Sequence, residues 1–314
     1  MEGSLETALA TIEKHAPEKD RPLLRAMLEF APTDDGKSTI AAQILQAFDE
    51  SKLGELADSY WTNIIVPFRS AGGKTPAPSE TPSRDDPHGG ESPFDVESGK
   101  RDLGYLKQRA LARDDYRCLA LGRYDTEIFK HKPDFVPQPS DSFALTQAVH
   151  IIPFSLNDFD DEKPSKVERN TNIWTALQAF CGRDMSDLRG AGINSLDNII
   201  TLSTLAQRVF IELKVAFEAV PDTTNKYRLV TFGKIAPRLG FPDTVILKSN
   251  NGDPVPSPFY LAVHCAICKV LWASGRAEAL EALLEDWEDS TVLANDGSSA
   301  DLLALAISRS INSR

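Results

Sequence analysis

Apolar residues along this chain recur in two rhythms, one every three or four positions and one crowded or alternating. LETALATIEKHA, DRPLLRAMLEFA and STIAAQILQAFDESKLGELADSYWTNII follow the first, which lays an apolar stripe along a helix. The third of these predicts one long helix opening at a Ser38 cap. Together they read as a helical region over residues 1–70. The rhythm stops in SAGGKTPAPSETPSRDDPHGGESP, where Pro, Gly, Ser and charge leave nothing to bury. Residues 71–98 therefore read as a flexible linker.

The second half mixes the two rhythms. RDLGYLKQRALARDD predicts a basic helix, and YRCLALG a short strand ending at Gly122. FALTQAVHIIPF reads as a strand carrying His150, since Phe, Thr, Val and Ile suit a pleated surface and Pro153 ends the pairing. NTNIWTALQAF predicts a helix capped near Asn170. GINSLDNIITLSTLAQRVF opens in turn chemistry between Asn194 and Asn198, then runs into a short strand and a helix. KYRLVTFG and DTVILKS predict two strands about a proline turn, and helices close the chain in SPFYLAVHCAICKVLWASG, RAEALEALLEDWE and SADLLALAISRSI. Few strands among many helices predict the α+β class, with residues 99–314 forming one unit.

Composition narrows the classes. The net charge is −12 over 314 residues, against the overall basic character of a strong nucleic-acid binder. One local basic run stands out, holding Lys100, Lys107, Arg109, Arg113 and Arg117, and these are the candidate contacts to DNA or RNA phosphates. Its alternative is a solvated helix face, because Asp102, Asp114 and Asp115 lie in the same run. The acids gather in the stretch from Glu278 to Asp289. No stretch nears the roughly 18 apolar residues of a membrane span, and acids occupy the N-terminus where a signal peptide has bases. Four scattered cysteines fit a reducing compartment, so an intracellular protein, cytoplasmic or nuclear, is expected. A protein partner is compatible with all of this.

The chemistry-bearing arrangement is a strand histidine, His150, followed about fifty residues later by Asn198 in a loop and then directly by a helix. Such parts suit a metal-assisted hydrolase: an imidazole takes a proton from water, an amide holds that imidazole, and helix side chains grip a cation that offsets phosphate charge. The alternative for a histidine beside isoleucines is a satisfied core residue.

AVHIIPFS, Trp174 and Leu177 in the next helix, then GINSLDNIITLS and a short helix, resemble the HNH nuclease domain, the ββα-metal finger, in the form found in many fungal proteins. RCLALG resembles that family's opening Arg-Cys stretch, with Leu121 where Thr or Ser is usual. LADSYWTNIIVPFRSAGGKTP resembles its N-terminal region, and SPFYLAVHCAICKVLWASGRAEAL with VLANDGSSADLLALAI its C-terminal helices. The resemblance implies an endonuclease using Mg, Mn or Zn, with His150 as general base and Asn198 as the asparagine joining strand to helix. It also implies a histidine in that helix, followed three and four residues on by Phe and Asp. In TLAQRVFIE, Gln207 replaces that histidine, Phe210 is kept and Ile211 replaces the acid; Ile199 stands where glycine is usual. Glutamine is a poor divalent ligand and isoleucine none. Gln207 and Glu212 are the residues left to offer a metal ligand, with Asp197 a more distant choice. The expectation is therefore a weak or inactive relative that binds nucleic acid or protein, with an active metal-dependent endonuclease as the alternative.

HCAIC, with His264, Cys265 and Cys268, has a zinc-like spacing. Its helical apolar setting and the lack of a second ligand pair nearby favour a core reading.

Overall fold

The computed structural model describes residues 2–71, 103–157 and 164–282. Helices α1 (Glu2–His15), α2 (Arg21–Phe30), α3 (Asp34–Gln46) and α4 (Glu50–Tyr60) lead into a π-helical turn, Trp61–Ile65, and α5 (Val66–Ala71). In α2, Pro22 occupies the first turn, where its missing N–H costs nothing. Leu23 and Met27, and Leu24 and Leu28, then pair at four-residue spacing on the buried face.

The single long helix expected from Ser38 is two helices. Its cap is Thr33, whose Oγ1 accepts from the Gly36 N–H at 2.9 Å and donates to the Cys181 carbonyl at 2.7 Å. A second cap, Asp49, accepts from the Lys52 N–H and starts α4 afresh. Thr33 also fixes how closely α3 meets its neighbour. A Cβ on Gly36 would stand 2.2 Å from the Phe180 carbonyl oxygen, so glycine is required there.

The second part holds α6 (Leu103–Arg113), β1 (Tyr124–Asp125), the single turn α7 (Ile128–His131), β2 (Phe143–Ala144), β3 (Thr146–His150) and α8 (Pro164–Cys181). Then come β4 (Ile199–Ser203), α9 (Thr204–Ile211), β5 (Val215–Ala219), β6 (Lys226–Thr231), β7 (Thr244–Ile246) and α10 (Pro258–Ala273). The fold is α+β. β3 and β4 are antiparallel, with Thr146 opposite Ser203 and His150 opposite Ile199. β5, β6 and β7 form a separate antiparallel sheet, and β1 pairs with β2 in parallel over two residues.

Several boundaries differ from the sequence reading. YRCLALG is a turn rather than a strand: only Arg117 bridges to Tyr124, and the Gly122 N–H closes onto the Cys118 carbonyl. α8 begins at Pro164, ahead of the expected Asn170 cap, and Asn170 is buried within it. VAFEA forms a strand, β5, that its short length concealed. The expected linker beyond Ala71, Lys100 and the helix in SADLLALAISRSI lie outside the described residues.

One core joins the first and the last of the described segments. Ile12, Leu24, Ile44, Trp61 and Phe68 pack in the same cluster as Trp174, Phe180, Ile267 and Leu271. A second cluster lies between β3 and β4 on one side and α9 and the β5 sheet on the other, built on Val149, Ile200, Leu202, Val209 and Phe210. The opposite face of β3 and β4 meets α6 through Ala148, Ile199 and Ala110. All five β4 residues are buried.

Candidate functional site

β3, β4 and α9 together make a ββα unit, and His150 ends its first strand. The hydroxyl of Ser203 accepts from the Ala206 N–H at 3.4 Å, so the strand turns directly into α9 without a linker. His150 is part-buried, its ring 5.6 Å from that of Phe154. Its Nε2 lies 2.9 Å from Asn194 Oδ1. Burial lowers the imidazole's pKa, opposed by the Asn194 hydrogen bond, so the ring is neutral at neutral pH.

Asn198 does not touch that ring. It is fully buried, and its Oδ1 accepts from the Ile152 N–H at 2.9 Å. Its Nδ2 donates to the carbonyls of Ile152 at 3.1 Å and Ile193 at 2.9 Å. The amide that holds the imidazole is Asn194, and Asn198 instead ties the backbone beyond β3 to the backbone ahead of β4. The Trp174 indole N–H reinforces that turn by donating to the Leu156 carbonyl at 2.9 Å.

The loop carrying both asparagines is tightly specified. Gly190 has a positive φ of 62°. A Cβ on Gly192 would come within 1.8 Å of the Asp187 carbonyl oxygen, so only glycine fits. Ser195 donates to the Asp197 carboxylate within this loop.

The described part of the basic run is largely paired, and one member is internal. Arg113 is fully buried, and its guanidinium grips Asp114 at 2.6 and 2.8 Å while donating to the carbonyls of Leu196, Ile199 and Pro254. Burial raises the Asp114 carboxyl, against the pull of the guanidinium beside it. Arg113 is thus corrected from candidate phosphate contact to a tie between α6, the asparagine loop and the approach to α10. Arg109 is paired with Asp253, Lys107 stands 3.8 Å from Glu127, and Arg117 lies over the Tyr124 ring at 3.8 Å beside Asp115. These three retain partial exposure.

The residues on and after α9 do not fit a divalent metal. Among the described residues Gln207 makes no side-chain hydrogen bond, and Glu212 is engaged by Arg208 at 3.0 Å and Lys214 at 2.8 Å. Burial would raise the Glu212 carboxyl, but those cationic donors outweigh it and hold it below its ordinary value. A carboxylate already neutralised by two cations is a weak ligand. No group of three or more His, Cys, Asp or Glu side chains able to hold a metal occurs among the described residues.

No known protein family, curated protein or solved structure matches the chain. The site must be judged by its own geometry.

Elsewhere, His264, Cys265 and Cys268 lie in the core. The His264 ring stacks on Phe210 at 3.8 Å and its Nε2 meets the Phe210 carbonyl at 3.2 Å. Cys268 Sγ is 3.7 Å from its Nδ1. Burial drops the His264 pKa to about 4 and raises both thiols, Cys265 to about 11, far from the thiolate form that binds metal. Asn194 and the buried Arg113 are the residues whose importance sequence reasoning missed. The only signal for Asn194 was its place in a Gly-rich turn, and nothing local marks Arg113.

Proposed function

We propose that this chain is an HNH-nuclease-like protein that has kept the ββα frame and its histidine but lost the metal-binding helix chemistry, and that it acts by binding a nucleic acid or protein partner with little or no hydrolysis. The observation carrying this reading is the pairing within the unit itself: His150 is neutral and held by an amide, whereas α9 offers Gln207 and Ile211, and Glu212 is neutralised by Arg208 and Lys214. A lone neutral imidazole can accept a proton, but general-base help contributes about 10²–10⁴-fold. Phosphodiester cleavage also needs the charge on the pentavalent phosphate offset.

Nucleic-acid contact through Lys107, Arg109 and Arg117 requires phosphate to replace a carboxylate partner, which makes binding weak and strongly salt-dependent. The described residues contain no helix long and apolar enough to cross a membrane.

Calorimetric titration of Mg²⁺, Mn²⁺ and Zn²⁺ into metal-free protein, alongside a plasmid-nicking assay and His150→Ala, tests the proposal. No saturable binding and no nicking are expected. Saturable binding with nicking that His150→Ala abolishes would establish an active metal-dependent endonuclease instead.

A further inference from the structure

We propose that Asn194 is the positioning residue of His150: it accepts the Nε2 proton, fixes the ring as the Nε2–H tautomer and leaves Nδ1 as the proton-accepting atom. This deepens the reading of the ββα unit as an HNH-like frame that has kept its histidine, and rests on it.

A carboxamide oxygen only accepts, so a 2.9 Å contact from Asn194 Oδ1 puts the neutral ring's proton on Nε2. Nδ1 has no partner among the described residues, and its lone pair is free. When a water or hydroxyl O–H gives its proton to Nδ1, the ring becomes imidazolium, and the Nε2–H to Oδ1 bond strengthens as it gains charge. Among the described residues, burial lowers the ring's pKa and the Asn194 hydrogen bond opposes it, so the amide steadies the cation where burial disfavours it.

The backbone is arranged to keep the pair in register. Asn198 holds Ile152, two residues past His150, from both its N–H and its carbonyl, and with the same Nδ2 it holds Ile193, one residue before Asn194. One buried amide therefore clamps the chain on both sides of the contact. Arg113 fixes the far side of the loop through Leu196 and Ile199. Asn194 itself is only half-buried, so its side chain can be changed without opening the core.

The test is two-bond ¹H–¹⁵N spectroscopy of the histidines in the ¹⁵N-labelled full chain across pH 4–9. His150 should show a protonated Nε2 and a bare Nδ1. Asn194→Ala should give a tautomer mixture, and Asn194→Asp should raise the His150 pKa by about one unit or more, as an adjacent opposite charge does. A protonated Nδ1 in the parent chain, or an unchanged tautomer ratio and pKa in Asn194→Ala, would overturn the assignment. Failure of the wider reading looks different. If a nicking activity is found and His150→Ala leaves it intact, His150 is not the base, whatever its tautomer.

Discussion

The tripeptide Ala-Val-His occurs twice, as Ala148–His150 at the end of β3 and as Ala262–His264 within α10, and the two histidines have opposite fates. His264 lies flat on Phe210, spends Nε2 on a backbone carbonyl and sits against a thiol. His150 ends a strand, keeps one nitrogen free and meets a side-chain amide. Both are held neutral by burial, but only one remains available for chemistry. Local sequence sets apolar company for both; position at an element's end decides which can react.

That contrast can be broken at its hinge. Asn198→Ala should have the largest effect, because it orphans two carbonyls and one N–H inside the core. We expect a loss of about 3–5 kcal/mol in urea unfolding, together with loss of the single His150 tautomer and no change in the His264 environment.

The next effect is acid lability. Burial pulls the His264 pKa down to about 4, from the 6.5 of a solvated imidazole. A depressed histidine pKa means the unfolded chain binds the proton first, so the stability it confers is complete above pH 6.5 and drains away as pH falls toward 4. The loss amounts to about 3 kcal/mol at the lower limit. The shift of urea midpoint between pH 7 and pH 4.5 should shrink in His264→Leu by more than in His150→Leu. Equal shrinkage would mean the two histidines are not distinguished by burial as described.

Arg208→Ala should have the smallest effect. Arg208 is 77% exposed where it meets Glu212, and exposed pairs contribute about 0.5 kcal/mol or less. Chemical denaturation should place it within error of the parent, whereas a loss above 1 kcal/mol would show that the ion pairs around α9 stiffen the whole unit.

Much of the frame was legible because its signals are local. The run from Asn194 to Phe210 announced turn, strand and helix through its turn residues and β-branched residues, and these elements stand as read, with Ser203 as the cap the structure adds. α10 was equally plain from its apolar spacing. What escaped depends on partners distant in sequence. Arg113 looks like surface until Leu196, Ile199 and Pro254 are folded around it, and Asn194 looks like a turn former until His150 arrives from 44 residues away. The helix starts at Thr33 and not at Ser38, and the bond that helps hold Thr33 there reaches Cys181, 148 residues away.

The core shared by α1–α5 with α8 and α10 sets a rule for handling the molecule. The stretches on either side of residues 72–102 are halves of a single body, like the two parts of a split reporter. Expressed apart, each would present to water the apolar face that the other covers; expressed together, they have the complementary surfaces to reassemble without a covalent joint.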